Sequence, residues 1–182
     1  DETNPQRVAG FPGNRAAGGV RVHGDIVYVG DAPGRFRILS VTNPLAPTLL
    51  ANVAMSWPDD IILNGNLAYI ADSQNRVIEL DVTDPAKPVR KRTSTPLSPK
   101  SFALSGNHLF VAANSEFGIL DISPGTTISK IGYWRSEQFH RDLALYGDYA
   151  ILASEISGLH VVSITNLTVP HPVAHVPTSE DA

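Results

Sequence analysis

Gly24, Gly65, Gly106 and Gly147 follow one another at a constant spacing of 41 residues. Each is followed by a polar turn residue and an apolar run: "GDIVYVGD", "GNLAYIAD", "GNHLFVAA" and "GDYAILAS". Each is preceded by another apolar run: "GVRV", "DIIL", "FAL" and "LAL". Gly-Asp or Gly-Asn between two such runs signals a β-hairpin, because glycine accepts the positive φ that tight hairpin turns require. A third apolar run comes next, "FRILSV", "VIELDV", "FGILDI" and "LHVVSI", ending in a turn that contains proline. Proline fixes φ there and ends the strand. The fourth segments, "TLLANV", "VRKRT", "ISKIGYW" and "PVAHV", are more polar. Each unit therefore reads as four strands, apolar inside and wetter at the last.

No stretch sustains a 3.6-residue apolar period, so helix is not expected beyond a turn or two. A repeat of about 40–45 residues with four strands per unit is the mark of a β-propeller blade. The fold expected is all-β, a propeller of four-stranded antiparallel blades, about four of them in this chain. Blade 1 is expected over 18–56, blade 2 over 57–98, blade 3 over 99–139 and blade 4 over 140–182. Residues 1–17 then hold the last strand of a preceding blade, with Gln6 to Phe11 as that strand. Thr3-Asn4-Pro5 matches the turn at Thr42-Asn43-Pro44. Because unit four already carries its own fourth strand, one outer strand is surplus for a four-bladed ring. The expectation is an arc of a larger propeller, completed by missing sequence or by a second copy as a homodimer.

The third-strand motif, fullest in "IELDVTDPAKP", resembles the LVIVD-repeat family. Tyr28, Tyr69 and Phe110 hold that family's aromatic position, and Gly118 and Gly158 its "GL" glycine. Asp81 and Asp121 hold its strand aspartate, and Asn43-Pro44 and Asp84-Pro85 its turn. Ser40 and Ser163 replace the strand aspartate in the other two units. The resemblance covers residues 3 to 178 and implies propeller-type repeats of exported or surface proteins with no shared catalytic motif. It thus implies an extracellular, periplasmic or cell-surface location.

Composition narrows the function classes. Net charge is −4, from 14 basic and 18 acidic residues, and the densest basic run is Arg90-Lys91-Arg92. Neither gives the electrostatic footprint of a nucleic-acid binder. There is no cysteine, which excludes disulfides and thiol chemistry. No apolar run reaches the ~20 residues that span a bilayer. The opening "DETNPQRVAG" reads as a processed product or a fragment.

The segments entering each first strand, "AAGG", "WPDD", "SPKS" and "FHRD", should meet around the central axis at one mouth of the channel. Gly18, Asp59, Lys100 and Arg141 share one level there, and Gly19, Asp60, Ser101 and Asp142 the next. Trp57 and His140 stand nearby. Charges of both signs at one mouth suit a polar ligand or an ion; the competing reading is that they pair with each other across blades. "HRD" at 140–142 lacks every other kinase element, and no nucleophile accompanies His140 and Asp142. No metal or cofactor is expected: the six histidines form no ligand motif, and Asp59, Asp60 and Asp142 match no known calcium loop. His171 and His175 are expected to face solvent. Asp31, Asp72, Asp81 and Asp121 are read as acceptors of backbone hydrogen bonds in adjoining loops, and the three aromatic positions as core between blades.

The function these readings point to is a non-enzymatic propeller module, an interaction scaffold of an exported or cell-surface protein, with a protein or surface-glycan partner. The alternative is a small polar ligand or ion binder, or an enzyme, working at the axial mouth through Trp57, Asp59, Asp60, Lys100, His140, Arg141 and Asp142.

Overall fold

The structure, a computed structural model, describes residues 7, 9–11, 17–31, 34–94 and 97–178. Strands β1 (Ala17–His23), β2 (Ile26–Asp31), β3 (Arg35–Ser40) and β4 (Thr48–Ala54) form the first sheet. Strands β5 (Pro58–Asn64), β6 (Leu67–Asp72), β7 (Arg76–Asp81) and β8 (Val89–Thr93) form the second. The third holds β9 (Pro99–Ser105), β10 (His108–Ala113), β11 (Glu116–Asp121) and β12 (Ser129–Arg135). The fourth holds β13 (His140–Tyr146), β14 (Tyr149–Ser154), β15 (Gly158–Ser163) and β16 (His171–Val176). Every sheet is antiparallel and runs in sequence order. No helix occurs among the described residues, and so none long and apolar enough to cross a membrane. Arg7 and residues 9–11 carry no strand; Gln6 and the Thr3-Asn4-Pro5 turn lie outside the described residues.

The spaced glycines do what their context demands. Gly24, Gly65, Gly106 and Gly147 have φ between 54° and 56°. In each pair of central turn residues only the glycine has positive φ, the type II′ arrangement that suits a two-residue hairpin.

The blades bury their faces against one another. Between blades 1 and 2 lie Tyr28, Phe36 and Ile38 against Ile61, Ile70 and Leu80. Between blades 2 and 3, Tyr69 and Val77 meet Phe102, Leu109 and Leu120. Between blades 3 and 4, Phe110, Phe117 and Ile119 meet Leu143, Leu152 and Val162. Residues alternate along each strand between the preceding and the following blade, so both faces of an inner blade must be apolar. Tyr28, Tyr69 and Phe110 are 4%, 0% and 2% exposed, as expected for core. The two motif glycines, however, do not share a level. Ladder register sets Gly158 opposite Ser154 and Gly118 opposite Val111, two positions further along the strand.

A polar lock joins blades 2 and 3. The Arg92 guanidinium on β8 holds both carboxylate oxygens of Glu79, with Nε 2.9 Å from Oε1. It also donates to the carbonyls of Ile122, Ser123 and Thr126 in the turn after β11, at 2.8–2.9 Å. Glu79 is 3% exposed, and the Tyr69 hydroxyl beside it has its pKa pushed up, by burial first and Glu79 second.

Candidate functional site

Inner strands β1, β5, β9 and β13 stand side by side around the axis. Near the start of each, the ladder slips by one residue. Ala17 faces Asp31 but Val20 faces Val29, and Pro58 faces Asp72 but Ile61 faces Ile70. Lys100 is the extra residue between Pro99 and Ser101, and Arg141 the extra one between His140 and Asp142. A slip of this kind bends the strand and frees a residue from pairing. Occurring at one level in four blades, it brings the expected residues together at the mouth. A cavity of about 350 Å³ there is lined by Asp59, Asp60, Lys100, Arg141 and Asp142, with Gly18, Gly19, Arg21 and Ser101. Glycine is required at 18, because a Cβ there would lie 2.1 Å from the Pro58 carbonyl oxygen.

The charges of this mouth engage one another across the blade junctions. Lys100 Nζ lies 2.7 Å from Asp59 Oδ2, from blade 3 to blade 2. Arg21 Nη2 donates to Asp60 Oδ1 at 2.9 Å, from blade 1 to blade 2. Asp60 Oδ1 also accepts the Ile61 N–H, and its Oδ2 accepts the Phe102 N–H from blade 3 at 3.0 Å. Burial still pushes the Asp60 pKa above the usual carboxylate range, with these partners and Arg21 opposing. Ser101 Oγ donates to Asp142 Oδ1 at 2.6 Å, from blade 3 to blade 4. Arg141 pairs with Glu155 of its own blade.

Trp57 and His140 do not line this cavity. Trp57 is exposed, and its carbonyl accepts the Ser73 N–H at 3.0 Å. His140 is 0% exposed and lies between blades 3 and 4. Its Nδ1 is 2.8 Å from Ser154 Oγ and its Nε2 meets Ser136 Oγ. Its ring lies beside Trp134 and beside His160, which stacks at 4.6 Å on His175. Burial pulls the His140 pKa down to about 4, with the charge of His160 adding to it; burial likewise lowers His160, with His175 adding. This histidine column was not read from the sequence. Its signal was the β15–β16 hairpin register, which sets His160 opposite His175. His171 and His175 are both exposed, as expected, though the His175 ring is committed to the stack.

The loop aspartates are structural. Asp72 accepts the Gln74 N–H at 2.9 Å, Asp81 that of Thr83 at 3.0 Å, and Asp121 that of Ser123 at 2.8 Å. Asp31 instead pairs with Arg37 at 2.8 Å.

The family model of the LVIVD repeat matches the sequence four times, at residues 14–55, 58–94, 98–132 and 140–178. No curated protein matches it. Among solved structures, the fold is similar to that of the computationally designed Ika4 protein, with a TM-score of 0.71 and 14% identity, covering 88% of this chain and 99% of that one. It is similar to a functionally unknown protein from Desulfotomaculum acetoxidans, with a TM-score of 0.78 and 16% identity over 91% of this chain and 59% of that one. For the computationally designed Ika8 protein the TM-score is 0.70 and the identity 14%, over 98% of this chain and 54% of that one. The chain thus spans little more than half the length of two of these three.

Proposed function

Because the chain belongs to the LVIVD-repeat family, we propose that it is a non-catalytic β-propeller module that presents surfaces to protein partners. The exported or cell-surface setting is part of the same proposal and rests on the family resemblance. One observation carries the non-catalytic reading. Asp59, Lys100, Asp60 and Asp142 at the axial mouth are engaged across blade junctions. A carboxylate that bridges two blades has a structural task, and moving it to meet a substrate would undo a junction. His140, the one histidine in the sequence set, is buried between two serines rather than open to the cavity.

The test is a thermal-shift series with small anions, divalent cations and simple sugars. The module reading expects no saturable shift from any of them. A saturable shift lost in Lys100→Ala, with the circular dichroism spectrum unchanged, would overturn it in favour of a ligand site at the mouth.

A further inference from the structure

The two end faces of the arc are built like interior faces. On the preceding-blade side, Ile61, Phe102 and Leu143 occupy one repeat position and are 0%, 5% and 8% exposed. Val20 holds that position in blade 1 and is 52% exposed. On the following-blade side, Phe36, Val77 and Phe117 are each 0% exposed, whereas Leu159 at the same position of blade 4 is 38% exposed. The apolar pattern holds at both ends, except that Arg37, paired with Asp31, stands on the blade 1 face where blade 2 has Ile78. Blade 1 holds a mainly apolar cavity of about 190 Å³ between Val20, Val27, Val29 and Leu39, lined also by the paired Asp31 and Arg37. Phe11 covers one side of it, 5.8 Å from the Arg37 guanidinium, and leaves Val20 and Val22 open. Blade 4 holds one of about 180 Å³ beside Ile151, Ala153 and Leu159. Contiguous exposed apolar faces mark association surfaces.

The mouth is unfinished at the same place. Asp60 holds Arg21 of the blade before it on one oxygen and the Phe102 N–H of the blade after it on the other. Asp142, at the same level, holds its own Leu143 N–H and Ser101 of the blade before it, both on Oδ1. Its Oδ2 has no corresponding partner among the described residues. The residue at the Phe102 position in a following blade 1 would be Val20.

We propose that the occupant of both faces is a second copy of this chain. Blade 4 of each copy docks on blade 1 of the other, closing an eight-bladed ring with two-fold symmetry. This goes beyond the module reading and stands or falls separately from it. The contact repeats the arrangement of a junction that the chain already forms three times. It brings the Val20 N–H of one copy to Asp142 Oδ2 of the other and completes the mouth. Head-to-tail contacts close into rings when the rotation fits, and eight blades lie within the usual range. The arc overlies 59% and 54% of two longer chains of this fold, so the fold accommodates more than the four blades seen here.

The experiment is sedimentation equilibrium on the chain and two variants, Val22→Asp and Leu159→Asp. Both side chains are exposed in the single arc, at 62% and 38%, so the fold should survive either change; circular dichroism checks this. The wild type should have twice the 19.5 kDa mass of one chain. A charge on either face should weaken association at least about 100-fold, because it would be buried unpaired. Mixing the two variants should restore a pair, through the one junction where both faces are unaltered. A wild type of single-chain mass would overturn the proposal and leave the faces to further blades or another protein. So would a ladder of ever larger multiples, a Leu159→Asp variant that still pairs fully, or a mixture that stays monomeric.

Discussion

Replacing Arg92 by Met should destabilise the protein by about 3–5 kcal/mol, the cost of breaking a buried ion pair from one side. The structure supplies the reason. Glu79 is 3% exposed, and Arg92 contacts both of its oxygens as well as three carbonyls of blade 3. The carbonyls of Ser123 and Thr126 lie in a turn that water can reach, so their loss costs little. A bare carboxylate between two blades accounts for most of the effect. For a chain of this length about 1 kcal/mol corresponds to roughly 2–4 °C, so Tm should fall by roughly 10 °C. Differential scanning calorimetry of Arg92→Met, Glu79→Gln and the double variant separates the causes. The double variant should recover most of the loss, because no charge is then stranded. An Arg92→Met protein within about 1 kcal/mol of wild type, or a double variant as weak as Arg92→Met, would refute the reasoning.

Acid should open the junction between blades 3 and 4. His140 has a folded pKa of about 4 against an ordinary 6.5, so its contribution is full above about pH 6.5 and is lost as pH falls toward 4. That gap corresponds to roughly 3 kcal/mol, and His140→Gln should flatten the difference in Tm between pH 7 and 4.5; an unchanged slope would count against it. Asp60, whose pKa is raised, works in the opposite direction, and comparing variant with wild type removes its contribution. Tyr69→Ala should cost about 3–5 kcal/mol by emptying a buried aromatic site. Lys91→Ala, whose pairing with Asp81 is at 3.4 Å and half exposed, should cost under about 0.5 kcal/mol; urea titration of both variants checks the pair, and equal midpoints would count against the strand assignment.

The fold was legible because a propeller blade must be apolar on both faces, and that requirement recurs at a fixed period. Gly24 with its three counterparts marked every inner hairpin, and Tyr28, Tyr69 and Phe110 marked the interior between blades. The mouth was legible for the same reason, since equal spacing puts Asp59, Lys100 and Arg141 at one height. What spacing could not convey was contact across blades. Arg92 sits in a run that reads as solvated charge, and only the packing of β8 against the turn after β11 shows that its guanidinium is partly enclosed. His140 looked like a rim residue, but the extra residue at Arg141 separates it from the cavity. Gly118 and Gly158 looked equivalent because each stands near the start of a third strand, yet ladder register sets them two positions apart.

Each of the four sheets is assembled from consecutive strands, with β4, β8, β12 and β16 supplied by the blade they complete. Among the described residues no strand crosses from one sheet to fasten another. Among the described residues, cohesion between blades rests on side-chain packing and on side-chain bonds to the neighbouring backbone, without a shared strand ladder, as in other stacked repeats. Pulled from its two termini, such a chain has no covalent detour that holds a blade in place after its neighbour has gone. It should come apart as a file of separate events, each releasing one unit, rather than in a single rupture.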